Sequence, residues 1–143
     1  MKYKVLNIEG LKNIGKTTTC IILRKTIKDL NKAIIVKDDL GFGSILADKL
    51  SNGESLKDLE FTQAGLINEY EQMDVLNLFL LPSKTNPPKR VDMSVAEENK
   101  QKCMELIPHF LFNKKLKFSI VYIEEGDKIL EIVNMILKII EKK

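Results

Sequence analysis

Residues 9–19 read EGLKNIGKTTT, two glycines separated by four residues and followed at once by a lysine and three threonines. Few folds can place such a stretch between its neighbours. Before it, Tyr3-Lys4-Val5-Leu6-Asn7-Ile8 alternates and is apolar enough for a buried strand; after it, Ile21, Ile22, Ile27 and Leu30 recur at helical spacing within Thr18 to Leu30. A strand, a glycine loop and a helix in that order aim backbone N–H groups and a positive helix terminus at one point in space. The spacing is that of a phosphate-binding loop, against the plain alternative of a glycine turn. Gly10, Leu11, Lys12, Asn13, Ile14, Gly15, Lys16, Thr17 and Thr18 form the expected cradle. Lys16 is expected to reach the β- and γ-phosphates, and the Thr17 hydroxyl to ligate magnesium. The ligand so described is ATP with Mg2+.

The remaining chain alternates strand and helix patterns. Ala33-Ile34-Ile35-Val36 reads as a short strand ending at Lys37-Asp38-Asp39, which puts Asp38 or Asp39 where a metal-site carboxylate sits. Leu40-Gly41-Phe42-Gly43 reads as a flexible connection, with a helix from Ser44 to Leu50. A further helix is expected from Leu56, Leu59, Phe61, Ala64, Ile67 and Tyr70. Val75 to Leu81 is a nearly continuous apolar run, as in a parallel strand covered on both faces, and Pro82 closes it. The prolines at 82, 87 and 88 make the following segment a surface loop. Ser94 and Glu97 have capping-box spacing and open a helix to about Ile107. Phe118 to Ile123 is the last strand, and Asp127 is expected to cap a helix whose Ile129, Ile132, Val133, Ile136 and Ile140 form one stripe. The sum is an α/β fold: a three-layer α/β/α sandwich with a mostly parallel sheet of four strands.

The 143 residues suit a single domain spanning 1–143, and 44% hydrophobic with 30% charged residues is the balance of a soluble globular protein. No apolar run reaches the length of a membrane span, and a strand stands where a signal peptide would, so a cytoplasmic protein is expected. Cys20 and Cys103 lack metal-ligand spacing and read as reduced packing residues. His109 is the only histidine, which excludes histidine clusters and reads as structural or exposed. A net charge of +3 spread along the chain does not argue for nucleic acid. The expected partner is a nucleotide substrate, with a homodimer left open.

The start, IEGLKNIGKTT, and the end, FSIVYIEEGDKILEIVNMILKIIEKK, resemble the thymidylate kinase branch of the P-loop nucleoside monophosphate kinases. Between them, GSILADKLSNGESLKDLEFTQAGLINEY is similar in kind to the helices that cover the monophosphate. The resemblance implies a P-loop NTPase fold and transfer of the ATP γ-phosphoryl to a nucleoside monophosphate. It implies that Lys37 stands for an acceptor-binding arginine, that Phe61 stacks on the acceptor base, and that Lys89 or Arg90 in a lid reaches the transferred phosphoryl alongside Lys16. The chain departs from the family's pattern at Lys12, where the family has an acidic residue, and at Gly65, where it has an arginine. The family's Asp-Arg segment has no counterpart.

Two other readings stand beside the kinase. KNIGKTTT, VKDD and LFLLPS are also similar to partition-type ATPases, although Leu11 occupies the place of that group's early loop lysine. A nucleotide-binding module without turnover is the third.

Overall fold

A computed structural model describes residues 4–111 and 115–142. Its strands are β1 (Val5–Gly10), β2 (Ile35–Lys37), β3 (Val75–Pro82) and β4 (Lys117–Ile123). They form one four-stranded parallel sheet in the order β2-β1-β3-β4. The helices are α1 (Lys16–Asp29), α2 (Phe42–Ser51), α3 (Leu56–Thr62), α4 (Ala64–Glu71), α5 (Val95–Phe110) and α6 (Ile129–Lys142). Tyr3, expected in the first strand, lies outside the described residues.

The alternation of side chains along the inner strands divides the core in two. Leu6 and Ile8 of β1 and Leu76, Leu78 and Leu80 of β3 pack with α1 and α6. Phe79 and Leu81 of β3 point the other way, toward α2, α3, α4 and α5. β3 is buried along its whole length, which is why its sequence is nearly unbroken in apolar character. From β1 the chain goes first to β2 on one side and later to β3 on the other, so the order reverses at β1. In parallel α/β sheets such a reversal opens a crevice beyond the strands' carboxyl ends, and the glycine loop leaves β1 there.

Several boundaries differ from expectation for physical reasons. α2 begins at Phe42, because Gly41 adopts φ 68 and a distant carboxylate satisfies the amides that follow. The helix expected across Leu56 to Tyr70 is two, broken at Gln63 with φ −107 and ψ 18. Leu59, Ile67 and Tyr70 are buried there, but Phe61 is exposed. α1 buries Thr19, Cys20, Leu23 and Ile27, whereas Ile21 and Leu30 face outward. Asp127 does not cap α6; its carboxylate accepts the Glu124 N–H at 2.8 Å and closes the turn before the helix. The Ser94 cap is as expected, its hydroxyl accepting the Glu97 N–H at 3.2 Å, and α6 buries Ile132, Val133, Ile136 and Ile140.

Candidate functional site

The glycine loop is anchored through its apolar residues and open through its polar ones. Leu11 and Ile14 are buried, Leu11 in the core under α2 and Ile14 in the core under α1. One side chain on each side of the sheet thus pins the loop over the end of β1. Within it the Ile14 N–H donates to the Leu11 carbonyl at 3.2 Å, and Asn13 takes φ 66. Gly15 takes φ 98, a conformation glycine adopts without steric cost. Gly10 is required by contact instead, since a Cβ there would lie 2.6 Å from the Leu80 carbonyl oxygen. Lys12, Asn13, Thr17 and Thr18 are exposed. Residues 10–18 line a concavity of about 270 Å³.

α1 starts at this concavity with no side-chain cap and no acidic residue in its first turn. The positive end of its dipole is left for an anion to complement. Lys16, Cys20 and Arg24 follow one another on the helix at intervals of four and face the end of β2. The Lys16 ammonium donates to the Asp38 carbonyl at 3.1 Å. Arg24 donates to the Val36 carbonyl at 3.2 Å and pairs with the Asp38 carboxylate at 3.3 Å. Burial, reinforced by the nearby Asp38 charge, pushes the Cys20 thiol up to about 11. Asp38 is therefore held by α1 at the end of β2, while Asp39 beside it is exposed. Among the described residues no group of three or more His, Cys, Asp or Glu side chains could hold a metal. A divalent cation at the loop would therefore find at most two such side chains and would need its other oxygens from hydroxyls, its ligand or water.

Arg90 comes to the loop from the segment after β3. Its Nε donates to the Asn13 carbonyl at 3.1 Å and one terminal nitrogen to the Ile14 carbonyl at 2.9 Å. The same segment is tied to the turn after β4, where the Glu125 N–H donates to the Asn86 carbonyl at 3.0 Å and the Glu125 carboxylate accepts the Lys89 N–H. Between this segment and α5 lies a second concavity of about 310 Å³, with Pro82, Lys84, Met93, Gln101 and Glu105 in its walls.

Glu9 is the site residue that motif spacing missed. It is 2% exposed, and its two oxygens accept the N–H groups of Gly43 at 2.8 Å and Ser44 at 2.9 Å, which begin α2. Asn7 donates to the same carboxylate at 2.8 Å and to Asn77 at 2.9 Å, so a buried polar chain joins β3, β1 and α2. A signal existed in the pattern: Asn7 and Glu9 stand two apart on one strand face, where apolar residues are otherwise expected. Lys37 and Phe61 are not brought to the loop concavity. Lys37 is exposed on the edge strand β2, and Phe61, on α3, is 84% exposed.

No family model matches the sequence, and no curated protein is significantly similar to it. No helix among the described residues is long and apolar enough to cross a membrane.

Proposed function

We propose that this chain is an ATP-binding protein of the P-loop NTPase type that transfers the γ-phosphoryl of ATP to a nucleoside monophosphate. The observation that carries the reading is a coincidence in space: the loop concavity, with Lys16 in its wall, and the uncapped start of α1 lie together where the glycine loop leaves an inner strand. Phosphoryl transfer needs little covalent chemistry from protein; it needs positioning and charge neutralisation. Backbone amides and Lys16 would hold the phosphates, with Thr17 and Asp38 or Asp39 as the groups for Mg2+. That ion would supply charge neutralisation and orientation of the phosphate chain. The buried, free thiols of Cys20 and Cys103 accord with a reducing, cytoplasmic setting.

A nucleotide-binding module without turnover is the second reading, and specific observations favour it. Arg90 is engaged with loop carbonyls and Phe61 faces outward, so the residues expected on the transferred phosphoryl and the acceptor base are occupied or outside the concavity's wall. Incubation with γ-labelled ATP, Mg2+ and a panel of nucleoside monophosphates separates the readings. Labelled acceptor supports the kinase, free phosphate supports an ATPase such as the partition type, and unchanged ATP with measurable binding supports the module. Binding itself is tested with Lys16→Ala, which removes charge-assisted contacts of about 1.5–3 kcal/mol. Calorimetry is expected to show affinity for MgATP lower by roughly ten- to a hundredfold. Equal dissociation constants for the two proteins would remove the basis of the proposal.

A further inference from the structure

We infer that the segment from Ser83 to Arg90 is a strap that presets the glycine loop, with Arg90 as a positioning residue rather than a group on the transferred phosphoryl. The inference rests on the loop being a triphosphate cradle and changes what Arg90 does for it.

The geometry is directional. Two nitrogens of one rigid guanidinium donate to the carbonyls of two successive residues, Asn13 and Ile14. The planar fork of arginine suits two acceptors held side by side. In a trans peptide the C=O and the following N–H point in opposite directions, so a carbonyl held toward Arg90 turns its partner N–H away from it. The Ile14 carbonyl and the Gly15 N–H are such a pair, and the concavity is walled by residues 10–18 without Arg90. Arg90 therefore grips the loop from behind and leaves its amide face open. It also acts beside the left-handed φ of 66 at Asn13, a conformation that residues other than glycine adopt at a steric cost. Bonds to the neighbouring carbonyls offset that cost.

The strap has a fixed far end. The Ser83 N–H donates to the Ile123 carbonyl at 2.8 Å, and Asn86 and Lys89 bond Glu125 in the turn before α6. Pro87 and Pro88 restrict the backbone between these anchors. Pro88 and Val91 are buried, and the Val91 N–H closes on the Pro88 carbonyl at 3.1 Å. The bonds to Ile123 and Glu125 tie the segment to β4 and to the turn that follows it.

The test compares wild type, Arg90→Ala, Arg90→Lys and Glu125→Ala. Binding of both MgATP and MgADP is measured by calorimetry, and exchange of the Ile14 and Gly15 amides by NMR without nucleotide. A positioning role predicts that Arg90→Ala weakens ATP and ADP by the same factor, on the order of tenfold. Free guanidinium should restore both, Arg90→Lys should recover part, and Glu125→Ala should act in the same direction more weakly. The loop amides should exchange faster in Arg90→Ala while the sheet amides do not change, which distinguishes the effect from general unfolding. Loss confined to ATP would place the guanidinium on the γ-phosphate and overturn the inference, as would unchanged loop amides. If wild type binds neither nucleotide, the triphosphate reading fails, and the amide comparison still decides whether Arg90 holds the loop.

Discussion

At the scale of single residues, two glycines that look alike in sequence are required for different neighbours. Gly10 belongs to the loop pattern, yet what excludes a side chain there is the Leu80 carbonyl of the adjacent strand, 2.6 Å from where a Cβ would sit. Gly43 read as part of a flexible connection, but it stands in the first turn of α2, with the Phe79 ring 2.5 Å from its Cβ position and Glu9 at 3.3 Å. Phe79 is fully buried and has no room to withdraw. Gly43→Ala is expected to lower stability by about 1–3 kcal/mol, the usual cost of overfilling a packed interior. Urea unfolding monitored by circular dichroism reads it directly, and an unchanged midpoint would mean that α2 can slide away from the sheet. The loop pattern was legible because its spacing is local. The need for Gly43 was not, because the ring that enforces it lies 36 positions along the chain.

Among the elements, the same contrast separates the helix starts that were foreseen from the one that was not. α5 begins where Ser94 and Glu97 said it would, since the cap and the amide it serves are three residues apart. α2 begins two residues before its expected start because its cap is Glu9 on β1, a carboxylate that no local pattern connects with Gly43 and Ser44. Asp127 failed in the opposite direction: a good capping residue in the right place is used by the turn before α6 instead. The Glu9 cap has a testable consequence. Oε2 accepts from Gly43 and Asn7 while Oε1 accepts from Ser44, so both oxygens face only donors. Glu9→Gln forces an NH2 group against at least one of them, leaving a buried donor unsatisfied at about 1–3 kcal/mol. Amide exchange should rise at Gly43 and Ser44 before it rises in β1 or β3. If protection of the first turn of α2 survives the substitution, the helix start is held by packing of Phe42 and not by the carboxylate.

For the whole molecule, the alternation of apolar runs foretold four parallel strands with helices on both faces. The strand order could not be read from periodicity and had to come from the assembled sheet. A property of that assembly is its response to alkali. Burial, then the Asp38 charge, raises the Cys20 thiol from 9.0 to about 11, and burial raises Cys103 and Tyr70 in the same direction. Tyr122 goes up to about 12, through burial and its hydrogen bond to Glu105. In each case the folded state holds a proton that the unfolded chain gives up sooner. These groups therefore leave stability unchanged with pH below about 9 and erode it as pH climbs through the interval between the unfolded and folded values. For the fully buried Cys20 the slope is about 1.4 kcal/mol per pH unit, from pH 9 until the folded thiol itself ionises near 11. Cys20→Ala should be less stable at neutral pH, because it leaves a small void. Its stability should nevertheless fall less steeply than wild type over the same interval, since its unfolded state has no thiol at that position to ionise. Denaturant midpoints of both proteins at pH 7, 9, 10 and 11 separate the two effects. Parallel curves would show that Cys20 ionises as readily in the folded protein as in the unfolded chain, and that the end of β2 leaves its thiol open to solvent.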